Sequence, residues 1–139
     1  MTSASGAGYY LDASALLALL FQEPGLESVA AVLNHAYIHS VNLAEVAGKL
    51  VRAGVPLVEA VQAIEELDLR IDEDLPYRRA AACGALIAET RRQGLSLGDC
   101  ICLTAAASKG CIAVTADRGW KKLHGRRIDG KEIRVQVIR

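Results

Sequence analysis

Short apolar runs alternate along this chain with stretches of helical composition, and no other feature restricts the fold as much. "GYYL" is a buried strand, followed at once by the helical "ASALLALLF", which Pro24-Gly25 stops. "LESVAAVL" is a second helical stretch, and "AYIHS" a second short strand. Leu43, Val46, Ala47, Leu50 and Val51 then recur at helical spacing until Gly54. Pro56 opens another helix, with Leu57, Ala60, Val61, Ile64 and Leu67 on one face. "DLRIDEDLP" alternates like a strand with Leu69 and Ile71 facing one way, and a helix from about Pro76 to Gln93 ends at Gly94. "LGDCICLTAAASKG" predicts a helix apolar all round, hence central. "CIAVTAD" is a buried strand and "EIRVQVI" a last one. Strands that alternate with helices or helix pairs predict an α/β domain with a mainly parallel sheet and helices on both faces.

At 139 residues the chain is long enough for one such domain, expected over residues 8–139, with residues 1–7 a loose tail. Apolar residues make up 52% and charged residues 23%, which excludes a disordered chain. No apolar run reaches the roughly 18 residues of a membrane span, and "MTSASGAG" lacks the pattern of a signal peptide, so the expected location is the cytoplasm, away from the membrane. Cys83, Cys100, Cys102 and Cys111 form no Cys-x-x-Cys pair and read as buried thiols. His35 and His39 flank a turn into a strand, where a structural or surface role is expected. Six acids between Glu65 and Asp74 read mostly as a solvated rim. Charge is unevenly spread. Residues 1–117 hold 14 acids and 8 bases, net −6, and residues 118–139 hold 2 acids and 8 bases, net +6.

Four acids stand where strands end or helices begin. Asp12 joins the first strand to the first helix, and Asp117 ends "IAVTAD". Glu45 lies three residues after Asn42 and Asp99 three after Ser96, and both pairs fit a helix N-cap with a capping box. Taken singly, each acid is explained by capping or turn formation. Together they have a second explanation: the carboxyl ends of parallel strands and the following helix starts share one crevice, where ligands bind. Asp99 opens a helix without a polar face, so its charge lies near buried surface and needs a partner. Glu45 lies off the apolar stripe of its helix but leans toward the helix start. Four converging carboxylates repel one another, and a divalent cation resolves this. An all-oxygen ligand set selects Mg²⁺ or Mn²⁺ over Zn²⁺.

The set "YYLDASALLALL", "SVNLAEV", "LSLGDCICLTAA" and "VTADRGWKKL" resembles the PIN-domain ribonucleases, and among them the VapC-type toxins of VapBC toxin–antitoxin pairs. The resemblance runs from Tyr9 to about Leu123. It implies a three-layer α/β/α fold with a parallel sheet, and a Mg²⁺- or Mn²⁺-dependent endoribonuclease. It carries the four acids of the family onto Asp12, Glu45, Asp99 and Asp117, as catalytic and metal-holding residues. Ser14 and Thr115 match the hydroxyl residues that support them, and Asn42 matches the polar residue before the second acid. Gly98 departs from the alanine more usual there, at some cost in helix propensity. A cognate VapB-type antitoxin and a homodimer are further implications. The apolar early helices, Leu16 to Leu33, are the candidate dimer face.

The expected reaction is hydrolysis of RNA phosphodiesters by metal-activated water, leaving a 5′-phosphate and a 3′-hydroxyl. Glu45 either ligates metal through water or accepts a proton, and Asp117 is either a direct ligand or orients water. Basic surface must sit beside so acidic a pocket, and Arg118, Lys121, Lys122, Arg126 and Arg127 are expected as an RNA phosphate track or, equally, a solvated hairpin or turn. Trp120 either stacks on a base or anchors that turn. Two rival readings stand. One is a phosphatase-type α/β hydrolase with Asp12 as phosphoryl acceptor. The other is a non-catalytic RNA- or protein-binding domain of the same fold.

Overall fold

The structure, a computed structural model, describes residues 8–139, so the tail expected over residues 1–7 lies outside the described residues. Five strands form one sheet: β1 (Tyr9–Leu11), β2 (Ala36–His39), β3 (Arg70–Asp72), β4 (Ile112–Thr115) and, late in the chain, β7 (Val135–Val137). Their order is β3-β2-β1-β4-β7, and every neighbouring pair is parallel. The chain therefore builds outward from β1 in one direction and then restarts on its other side with β4. The switch point between β1 and β4 opens a crevice at their carboxyl ends.

Helices α1 (Ala13–Leu20), α2 (Leu26–Val32), α3 (Ser40–Arg52) and α4 (Leu57–Glu65) pack on one face with Leu11, Ile38 and Val114. On the other face α5 (Tyr77–Glu89) and α6 (Leu97–Ser108) enclose Tyr10 and Ala113. Alternating strand residues thus feed two cores, the three-layer arrangement expected. Helix α6 has nine buried residues among its twelve, in keeping with its lack of a polar face. A small antiparallel hairpin, β5 (Arg127–Ile128) and β6 (Lys131–Glu132), stands where a solvated hairpin or turn was one of the two expectations. Its strands are two residues long and leave no periodicity to read.

Several local expectations are corrected. Helix α3 starts at Ser40, not after Asn42, because the ring of His39 caps it: Nδ1 accepts the N–H of Val41 at 3.1 Å and Nε2 donates to the carbonyl of Asp74 at 2.7 Å. In β3 the buried residue is Asp72, while Ile71 is 47% exposed, the reverse of the hydrophobic alternation. Asp72 accepts from the Tyr10 hydroxyl, from the N–H of Asp74 at 2.9 Å and from Arg79 at 3.3 Å. One of the six rim acids is thereby a buried anchor between β3, β1 and α5. Trp120 is fully buried and anchors its turn. The apolar residues of α1 and α2 go mainly into the core, with Leu16, Leu17 and Val29 buried, so they do not form a free dimer face. All four cysteines are free and buried.

Candidate active site

Asp12 follows β1 at the switch point, where its N–H donates to the carbonyl of Val114 at 3.0 Å. It is the N-cap of α1, with Oδ1 accepting from the N–H of Ala15 at 2.8 Å. The Ser14 hydroxyl donates to the same oxygen at 2.7 Å, and the Thr115 hydroxyl to Oδ2 at 2.5 Å. Those hydroxyls reach across to the next strand end. Ser14 Oγ accepts from the N–H of Ala116 at 2.9 Å, and Thr115 Oγ1 from that of Asp117 at 3.0 Å. Side chains 101 residues apart in sequence are thus tied into one cradle for a single carboxylate.

The other acids stand around this cradle. Asp99 sits in the first turn of α6 within a full capping box: Oδ2 accepts the N–H of Ser96 at 2.9 Å and its own N–H donates to Ser96 Oγ at 3.1 Å. Asp117 caps a short 3₁₀ turn, Arg118–Leu123, through a 2.8 Å bond from Gly119. Glu45 is one turn into α3. Asn42 Nδ2 donates to its Oε1 at 3.0 Å and to the carbonyl of Gly98 at 3.1 Å. Asn42 is therefore a tertiary bridge, not a cap. Gly98 also acquires a reason. A Cβ at that position would lie 2.6 Å from Glu45 Oε2, so the missing methyl makes room for the carboxylate against α6.

Asp12, Glu45, Asp99 and Asp117 all line one cavity of about 500 Å³ at the switch point. Burial raises the carboxyl of Asp12 to about 6. The Thr115 and Ser14 hydroxyls and the Ala15 N–H oppose the rise, and the charge of Asp99 adds to it. Cys102, beneath the cavity, is pushed well up by burial and then by the combined charges of Asp12, Asp99 and Glu45. Among the described residues, no three His, Cys, Asp or Glu side chains form a ready-made metal cage. The donor set nevertheless fits a hard divalent cation. It is all oxygen, its most buried member is disfavoured as a bare anion, and the cavity is wide enough for an ion that keeps several waters, as Mg²⁺ does.

Residues 9–125 match the PIN domain. This chain belongs to that family. PIN domains are generally nucleases. The match leaves no room for the phosphatase-type reading of Asp12. No curated protein matches this chain. Solved structures of like fold include DNA-bound VapBC from Salmonella typhimurium, at 21% identity and TM-score 0.70, covering 96% of this chain and 99% of that one. VapBC2 from Rickettsia felis bound to a promoter DNA fragment is 15% identical with TM-score 0.66, covering 93% and 97%. VapBC-5 from Mycobacterium tuberculosis, a member of the VapBC family of toxin-antitoxin systems, is 21% identical with TM-score 0.59, covering 96% and 98%.

The bases of this PIN domain are not placed as the charge pattern suggested. Arg118, Lys121, Lys122, Arg126 and Arg127 do not line the acidic cavity. Arg118 Nε donates to the carbonyl of Arg139 at 3.0 Å, Arg126 pairs with Glu89 at 2.8 Å and Arg127 bonds the carbonyl of Gly130 at 2.5 Å. Lys121 and Lys122 are exposed on the 3₁₀ turn. The cationic side chains that do line the cavity are Lys49 and Arg139. Lys49 follows Glu45 by four residues on one helix, a spacing visible in the sequence. Arg139 has no such signal, since only the fold brings β7 beside β4. Among the described residues no helix is long and apolar enough to cross a membrane.

Proposed function

We propose that this PIN domain is a Mg²⁺- or Mn²⁺-dependent endoribonuclease and the toxin of a VapBC-type toxin–antitoxin pair. One observation carries the reading: carboxylates from four separated segments line a single cavity at the sheet's switch point. A divalent ion there would lower the pKa of water and offset charge on the leaving oxygen. Asp12, Asp99 and Asp117 would hold the ion. Ser14 and Thr115 fix Asp12 in one orientation. Glu45 is exposed, and among the described residues its Oε2 has no hydrogen-bond partner, so it takes the proton of the attacking water. Water adds to phosphorus, the bond from phosphorus to the 3′-oxygen breaks, the leaving oxygen takes a proton from solvent, and the products carry a 5′-phosphate and a 3′-hydroxyl.

The partner part of the proposal is supported by the shared fold with VapBC structures. A VapB-type antitoxin would inhibit by placing a basic side chain among the carboxylates, and the active toxin is a homodimer. The test is cleavage of end-labelled RNA with Mn²⁺, Mg²⁺ or EDTA. Cleavage should need the metal, and Asp12→Asn or Asp99→Asn should slow it on the order of a hundredfold or more. Products ending in 2′,3′-cyclic phosphate, formed in EDTA, would reject the mechanism. A short reading frame directly upstream whose product neutralises the toxin in cells would establish the pairing.

A further inference from the structure

Two cavities meet at Phe21. The acidic one, of about 500 Å³, is lined by Phe21 and Lys49 along with the carboxylates. A second, of about 300 Å³, is lined by Phe21, Lys49, Arg52 and Ala53. Phe21 is the only phenylalanine of the chain, and it is 41% exposed where α1 ends. Its neighbours on α3 follow the helical repeat. Glu45, Lys49 and Arg52 are spaced by four and three residues and share one face. Among the described residues, neither Lys49 nor Arg52 has a carboxylate within salt-bridge distance. Arg139 also lines the acidic cavity, and Glu23 at 3.4 Å and the carbonyl of Pro24 at 3.0 Å steady its guanidinium.

An isolated exposed aromatic is ordinary. An aromatic ring lining the same cavities as two cations that make no ion pair among the described residues, beside a carboxylate cleft, has the composition of a single-strand nucleic-acid platform. Bases stack on such rings and phosphates run along the cations. We propose that Phe21, Lys49, Arg52 and Arg139 form the substrate track of this nuclease. A base stacks on Phe21, Lys49 and Arg52 hold the phosphates that lead away from the cleft, and Arg139 holds a phosphate within it. This rests on the nuclease reading and names the strand's path across that site. Arg118 then acts on the track indirectly, by holding the backbone of Arg139.

The test is fluorescence anisotropy of a labelled short oligouridylate and of an abasic strand of equal length, in EDTA, over a range of salt. Phe21→Leu should weaken oligouridylate binding roughly tenfold and leave the abasic strand unaffected, while Phe21→Tyr restores it. Lys49→Ala with Arg52→Ala should make the dependence of log K on log salt shallower by about 1.4, at about 0.7 per phosphate contact. The pair Lys121→Ala and Lys122→Ala tests the rival track. A larger loss of slope there, or unchanged binding in the Phe21 and Lys49/Arg52 variants, overturns the proposal. The latter result would mark Phe21 as a contact for protein. Metal-dependent cleavage is scored separately. An unmodified protein that cleaves while these variants bind normally sinks the track alone, and one that neither cleaves nor binds sinks both readings.

Discussion

Asp12 is held by three hydrogen-bond donors and still has its carboxyl raised to about 6, because burial outweighs them. Its value in an unfolded chain is about 3.9. The folded state therefore binds the proton more tightly. Asp12's contribution to stability is complete below about pH 4 and is lost as pH climbs through about 6, at a cost on the order of 2–3 kcal/mol in alkaline solution. Asp12→Asn should recover most of that in metal-free protein at alkaline pH and show no advantage below about pH 4, as read from urea unfolding curves. Protons also compete with any cation at this carboxylate. Apparent Mn²⁺ affinity should fall as pH drops through about 6. Thr115→Val removes a donor to the charged form and should move that midpoint up by about one unit. A midpoint that stays in place would show that Thr115 does not tune the carboxylate.

At the scale of elements, helix starts carry both structure and site. Ser96 caps α6, and its loss to alanine should cost about 1 kcal/mol, since the N–H of Asp99 then loses its acceptor. Asn42 joins α3 to α6 through Glu45 and Gly98 while fully inside the protein. Asn42→Ala should lower stability by about 1–3 kcal/mol and free the Glu45 carboxylate to move. Strand β3 is tied to β1 by the Tyr10–Asp72 bond. Burial pushes Asp72 up, but the Tyr10 hydroxyl, the Asp74 N–H and the Arg79 guanidinium together hold it below its usual value. Its sign is opposite to that of Asp12. The contribution of Asp72 is present above its unfolded pKa of about 3.9 and is lost as pH falls through the lower folded value. Asp72→Asn should flatten the acid limb of the stability profile and leave the alkaline limb to Asp12.

For the whole molecule, the sheet order matters most. Reversal at β1 and β4 opens a crevice at their carboxyl ends, and the carboxylates lining it repel in the absence of a cation. A ligand that binds only the folded state stabilises it by mass action. Millimolar Mn²⁺ should raise the melting temperature of the unmodified protein, and Asp12→Asn or Asp99→Asn should remove that rise. A rise equal in all three would place the ion elsewhere. Val51, Leu57, Val58 and Val61 are exposed on α3 and α4, away from the cavity-lining residues. Phe21 at the end of α1 and Ile71, Leu75, Tyr77 and Leu97 elsewhere are exposed too, so folding leaves apolar surface in several places, of which the α3–α4 set is the largest.

Local patterns were enough for the parallel α/β arrangement, because strand and helix periodicities differ and Pro24, Gly54, Pro56 and Gly94 punctuate them. The acids were legible for a related reason: Asp12, Asp99 and Asp117 sit at element boundaries, which are written in short-range chemistry, and Glu45 lies one turn inside α3. Three things were not legible. His39 displaced Asn42 as a cap, Asp72 took a core position, and Arg139 and Phe21 came to line the cleft. Each depends in part on groups that meet across tens of residues, as His39 meets the Asp74 carbonyl and Asp72 meets Tyr10. The amino-acid order determined which elements form and where their carboxylates stand. Only the tertiary packing decided which donors, cations and aromatic ring those carboxylates face, because such contacts are made between elements and have no period along the chain.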